Sequence, residues 1–191
     1  MATGNNFFST DKLRSMIAGS GGFAFANKYK VEFSGPALAG IGLSDLKLLT
    51  MTCENAALPT RSIQASEKLI YGTSYQMPYK HAYGEISMTF YLTESMETKK
   101  AFDNWLNKIV DPHTGDLGYY KDYTCDIKVS MLPKSAVDEN SRSNYAVKLL
   151  SAWPSIVAEV ALSHSAGGEI AKLPVTFQYK KWLDAETITT G

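Results

Sequence analysis

LLSAWPSIVAEVALS, residues 149–163, has the apolar density of a buried strand on both sides of the pair Trp153-Pro154. Proline gives no amide hydrogen to a ladder and restricts the residue before it, so the pair predicts a corner between two strands. An apolar corner inside a sheet implies a β chain that bends back on itself.

Outward from this stretch the same periodicity recurs. Tyr29, Val31 and Phe33 alternate with Lys28, Lys30 and Glu32, and in LKLLTMTCE (46–54) Leu49, Met51 and Cys53 alternate with Thr50, Thr52 and Glu54. Ile86, Met88, Phe90 and Leu92 take one side of GEISMTFYL (84–92). Tyr123, Cys125, Ile127, Val129 and Met131 oppose Thr124, Asp126, Lys128 and Ser130, and Val175, Phe177 and Tyr179 oppose Thr176, Gln178 and Lys180. A period of two over so many segments marks antiparallel sheets with one buried face, a mostly β (α+β) fold.

Two helices interrupt this pattern. In STDKLRSMIAGSGG, Ser9 or Thr10 can cap a short helix whose Leu13, Met16 and Ile17 share a face and which Gly19 ends. In SMETKKAFDNWLNKIVDP (95–112), Ala101, Phe102, Trp105, Leu106, Ile109 and Val110 recur at helical spacing, Thr93 or Ser95 can cap, and Asp111-Pro112 stops the run. A face that wide should cover one open end or face of the sheet. Between Lys68 and Gly84, Tyr71, Tyr75, Tyr79 and Tyr83 fall four apart, but Gly72, Pro78 and Gly84 argue for a long excursion or hairpin over a helix. The polar stretch PKSAVDENSRSN (133–144) should be exposed and mobile.

The chain has 191 residues, 45% of them apolar, and its 19 basic and 19 acidic side chains balance to zero with no basic block. That size suits one domain, and that balance excludes a protein that grips duplex DNA through clustered cations. Cys53 and Cys125 stand in no CxxC or Cys/His cluster and read as buried thiols of a reducing compartment. The opening residues show neither the basic flank nor the apolar core of a signal peptide, and no segment has the length of a membrane span, so a cytoplasmic origin is expected. His81, His113 and His164 fall in no metal-binding spacing, no serine sits in a GxSxG elbow, and the glycines at 19–22 lack the lysine of a phosphate loop. Trp105, Trp153 and Trp182 read as packing residues. No enzyme, cofactor or metal is indicated.

Taken in order, TCENAALPTRSI (52–63), the Trp153-Pro154 stretch and LPVTFQYKKW (173–182), with the Phe102/Trp105 helix following GEISMTFYL, resemble the tail tube proteins of phages with contractile tails. The resemblance runs from about Lys28 to Trp182, leaving an N-terminal arm at 1–27, a domain at 28–183 and a tail at 184–191. The Gly-rich N-terminal segment and the 133–144 loop depart from the family's shorter members. The resemblance implies a small antiparallel β-barrel or sandwich with a flanking helix, forming hexameric rings that stack into a hollow tube. It implies a tail sheath protein outside, tape measure protein and DNA transiently inside, baseplate and tail terminator proteins at the ends, and no membrane insertion. The location it implies is the virion tail, with the host cytoplasm during assembly. Tube subunits of type VI secretion and other contractile injection machines look similar, so a protein-delivering tube is one rival reading. A monomeric β-barrel that binds a small ligand is another.

Within that picture, alternation assigns side chains to the bore. If Leu49, Met51, Cys53, Val160 and Leu162 face the core, then Thr50, Thr52, Glu54, Glu159, Ala161 and Ser163 face the lumen with Ser62, Gln64 and Ser66. Lys148 is an awkward member of such a lining. Leu58-Pro59 and Trp153-Pro154 would be the corners where the lining strands turn back, and Tyr71, Tyr75, Tyr79 and Tyr83 are candidates for ring stacking. Lys99, Lys100 and Asp103 on the helix are candidates for meeting the sheath or, more simply, a solvated face.

Overall fold

A computed structural model describes residues 9–39, 46–134, 143–164 and 167–185. Its elements are α1 (Thr10–Gly19), β1 (Tyr29–Ser34), a 3-10 turn (Pro36–Leu38), α2 (Leu46–Met51), β2 (Cys53–Ala56), β3 (Arg61–Ile70), β4 (Thr73–Tyr83) and β5 (Ile86–Tyr91). They continue with α3 (Glu97–Ile109), α4 (Tyr120–Tyr123), β6 (Cys125–Met131), β7 (Tyr145–Val157), β8 (Lys172–Gln178) and β9 (Lys181–Asp184). Most of the 133–144 loop lies outside the described residues.

The strands run β1-β6-β7-β8-β5-β2, all antiparallel, with β9 also on β7 and β3-β4 as a separate pair. β7 belongs to two sheets: Tyr145 to Ala152 face β6, and Trp153 to Val157 face β8. The bend lies at Ser151, whose φ of 54° is left-handed, and its amide donates to Asp126 Oδ1 at 3.1 Å. Asp126 Oδ2 also pairs with Lys148 Nζ at 2.9 Å, so the cation doubtful for a lumen is held at the bend.

The expected Trp153-Pro154 corner is therefore corrected. The chain does not turn back there but continues as one strand that changes sheets, with Pro154 buried opposite Phe177. A bulge between Pro154 and Ile156 breaks the ladder where proline has no hydrogen to give, and Ser155 Oγ donates to the Thr176 carbonyl. Tyr123 packs edge-on against Trp153, with ring centroids 6.5 Å apart.

Alternation overreached on both sides of this strand. Beyond Val157 the run to Ser163 is no strand, and Leu162 is 84% exposed. Pro174 ends the β7-β8 ladder: its carbonyl accepts from the Ala158 amide, but it has no hydrogen to return on that side. LKLLTM is helix α2, with Leu49 buried and Met51 exposed. Two residues along a helix rotate by about 200°, so a shared face became opposite faces. Thr52 Oγ1 donates to the Leu48 carbonyl at 2.8 Å at the end of this helix.

The other alternating segments place their apolar sides as expected: Val31, Phe33, Ile86, Met88, Phe90, Ile127, Val129, Leu173, Val175 and Phe177 are buried together. α3 buries Ala101, Phe102, Trp105 and Ile109 against them. Phe102 lies 5.2 Å from Phe90 and 6.1 Å from Phe177 between centroids, and Trp105 Nε1 donates to the Tyr123 carbonyl at 2.7 Å. Each fully buried Phe contributes about 1.5–3 kcal/mol, so this cluster is a principal part of the core. It fills the interior that a ligand-binding barrel would need open. Neither Thr93 nor Ser95 caps α3; their hydroxyls pair with each other at 3.1 Å, and Met96 at φ 55° starts the helix without a side-chain cap. The outermost strands β1 and β2 approach each other, because the Tyr29 hydroxyl reaches the Cys53 carbonyl at 3.0 Å and also that of Glu54.

Candidate assembly surfaces

The Tyr-rich excursion is a β-hairpin, and it is the outer half of a longer one. Ala56 faces Met88 in the β2-β5 pair and Arg61 faces Tyr83 in the β3-β4 pair, so both ladders share one register across an unpaired break. Leu58-Pro59 sits in that break, where the chain leaves the body without turning back. At the far end Ile70 pairs Thr73 around Tyr71 (φ 52°) and Gly72 (φ 80°), a two-residue turn with both residues left-handed.

The base of the projection is clamped. Tyr83 packs on Tyr179 with centroids 6.1 Å apart, the Arg61 guanidinium lies 4.8 Å over the Trp182 ring, and Tyr179 Oη and Trp182 Nε1 each reach the Thr60 carbonyl at 3.4 Å. Beyond the base, every described side chain of β3 is exposed, and so are all of β4 but Met77, Ala82 and Tyr83. Eleven residues of β4 at about 3.3 Å each make a ribbon roughly 35 Å long. An isolated two-stranded ribbon is marginal in water.

Its two faces differ. Ser62, Gln64, Ser66 and Lys68 share one face with Ala82, Lys80, Met77 and Tyr75 opposite them. The other carries Ile63, Ala65, Glu67 and Leu69 with His81, Pro78, Gln76 and Ser74, and at the base it becomes the clamped Arg61 and Tyr83. Tyr79 is the extra residue of a bulge against Gln64 and Ala65. Of the four stacking candidates, Tyr71, Tyr75 and Tyr79 are exposed, whereas Tyr83 is committed to Tyr179.

The nine lumen candidates stand on several different elements. Ser62, Gln64 and Ser66 stand together on the hairpin. Thr50 is on α2 and Thr52 just after it, while Glu159, Ala161 and Ser163 follow β7 outside any strand. Glu54 is on β2, where its carboxylate is paired with Lys172 Nζ of β8. The hydrogen bond from Lys172 holds the Glu54 carboxyl below the ordinary carboxylate range, and the same bond raises the Lys172 ammonium. Lys172 also lies 5.5 Å over the Tyr91 ring of β5, making a ladder of three side chains across three strands. Among the sheath candidates, Lys99 and Asp103 pair with each other along α3 at 2.5 Å.

At the other end of the chain, Ser9 caps α1 by accepting from the Lys12 amide at 3.3 Å, yet no residue of α1 is buried. Gly21 and Gly22, both left-handed, follow it. The arm then lies against the β6-β7 end of the body, where Lys134 Nζ stands 5.8 Å over the Phe25 ring and Lys28 Nζ donates to the Lys134 carbonyl at 2.8 Å. Gly72 marked the turn of this hairpin in the sequence, and the tyrosine spacing of four did not outweigh it.

Solved structures share this arrangement. The sheath/tube terminator of an extracellular contractile injection system (PVC) in its extended state superposes with a TM-score of 0.58 at 12% identity, covering 82% of this chain and 92% of that one. The sheath-tube complex of the same kind of system gives 0.58 at 13% identity, over 93% and 97% of the two chains. The tube terminating cap of the anti-feeding prophage gives 0.60 at 13%, over 85% and 90%. No curated protein sequence matches the chain. The family model described as phage tail tube protein matches residues 24–185, the whole body from the arm to the end of β9, and the chain therefore belongs to the phage tail tube protein family.

Proposed function

We propose that this protein is a non-enzymatic structural subunit that assembles into hexameric rings, which stack as the inner tube of a contractile phage tail and conduct DNA. One observation carries the reading: a hairpin whose inner half is core and whose outer half stands in solvent with Ile63 and Leu69 uncovered. Copies of the chain are its proposed occupants, since a repeated contact between unlike surfaces closes into a ring or extends into a filament. Tyr71, Tyr75 and Tyr79 at and near the tip are the proposed ring-stacking contacts. Ser62, Gln64 and Ser66 are proposed to face the bore, and Lys68 and Lys80 on the same face give it a mixed polar character. By kinship, a sheath is the proposed outer partner, a terminator and a baseplate close the ends, and a tape measure protein fills the lumen during assembly.

A second reading is favoured by the fold neighbours themselves, which come from extracellular injection systems: a tube that passes proteins. Negative-stain microscopy of the purified protein tests the shared part. Rings and tubes are expected, and a monodisperse single particle at every concentration would end it. Tails isolated from infected cells, probed for whether DNA or protein occupies the tube on triggering, separate the two cargoes.

A further inference from the structure

α1 lies outside the residues matched by the family model. It is a ten-residue helix, about 15 Å long, with Leu13, Met16 and Ile17 on one face, of which Leu13 and Met16 are exposed and Ile17 is half-buried. A capped helix with an unburied apolar stripe on a two-glycine joint is an element prepared for a surface it does not touch in a single copy.

The same chain carries a surface of matching chemistry. A groove of about 730 Å³ is lined by Tyr91, Ala161, Leu162, Ile170, Glu169 and Lys172, with Leu162 and Ile170 exposed. Charge enters as well: α1 carries Lys12 and Arg14 against one acid, Asp11, while the groove holds Glu169 and Lys172, the latter's charge paired with Glu54. The positions also agree. The arm enters the body at β1, whose first residue, Tyr29, bonds to the Cys53 and Glu54 carbonyls, and Glu54 pairs with Lys172 on the groove. The contacts Tyr29 to Glu54 to Lys172 thus link the root of the arm to the rim of the groove.

We infer that α1 is an exchanged arm: its Leu13, Met16 and Ile17 face docks in the Leu162/Ile170 groove of the adjacent copy in the ring. This rests on the tube reading, to which it adds a lateral fastening.

The test uses two full-length variants, Met16→Cys and Ile170→Cys, one carrying a mass tag, mixed before assembly and gently oxidised. A mixed disulfide between the two chains is the expected product, whereas either variant alone gives none. Rings seen by microscopy with no mixed disulfide would overturn the exchange and leave the tube intact; the absence of rings and of any cross-link would overturn both. The doubly substituted chain supplies a control, since a disulfide closing within one chain at a rate independent of concentration would also refute exchange. A charge swap gives a second readout. Arg14→Glu and Glu169→Arg should each lower the cross-linking rate between chains bearing the two cysteines, and the pair together should restore it; no recovery counts against the docking pose.

Discussion

Replacing Ile63 and Leu69 together by serine should separate folding from assembly. These side chains are 61% and 74% exposed in the single subunit. Fully burying such a side chain is worth about 1.5–3 kcal/mol, so covering the exposed fractions contributes about 1–2 kcal/mol each and about 2–4 kcal/mol together. At about 1.4 kcal/mol per tenfold, the free subunit concentration needed for polymerisation should rise by about 30-fold to several hundred-fold. Sedimentation of polymer at graded protein concentrations reads that threshold. The subunit itself should hardly notice: an exposed substitution costs within about 0.5 kcal/mol, so the pair costs within about 1 kcal/mol, which moves Tm by less than about 4 °C in a chain of this size. An unchanged threshold would refute the hairpin as an assembly element. A fall in Tm of about 4 °C or more would show that these residues stabilise the subunit instead.

Gly35 has φ 140°, and an added Cβ would lie 3.0 Å from the Cys125 Cα, so Gly35→Ala should cost about 1–3 kcal/mol in urea unfolding; an unshifted midpoint would contradict the geometry. Burial pushes the Cys53 thiol up to about 12 and the Cys125 thiol higher still, so a thiol reagent at pH 8 should react slowly with the folded chain and fast in denaturant. The sign for stability follows: the raised thiols contribute fully below the unfolded value of about 8.5, and that contribution falls as pH rises past it, which alkaline unfolding curves of the Cys53→Ala variant should show diminished. Glu54 runs the other way, its pairing with Lys172 present above the ordinary carboxylate pKa and lost as acid protonates it. Carboxyl NMR titration should give Glu54 a midpoint that rises in Lys172→Met, and an unmoved midpoint would exclude the pairing.

Where one side of a strand meets core and the other meets solvent, the sequence announces it, and β1, β5, β6 and β8 were legible for that reason. α3 was legible because its apolar stripe is wide and holds two large aromatics. Segments 46–51 and 158–163 also alternate, but six residues cannot distinguish a strand from a helix turn or from an extended run, and only packing decides. The bend in β7 was detected but misplaced: Trp153-Pro154 marked a disturbance whose backbone centre is Ser151, an ordinary residue held in a left-handed conformation by Asp126. The hairpin had no burial pattern to read because both its faces stand in solvent in one copy. The lumen set drawn from alternation takes residues from a helix, a hairpin and an irregular run, because a period of two over a few residues reads the same in all three.

The shared register of the β2-β5 and β3-β4 ladders has a mechanical consequence. A sideways push on the tip near Tyr71 is carried by a lever whose short arm is Met88 and Phe90, wedged among the aromatic rings under α3. In any array that seats the tip, tilting one subunit strains the interior of the next. The flexural stiffness of the whole filament is then set as much by the hardness of each core as by the glue between copies.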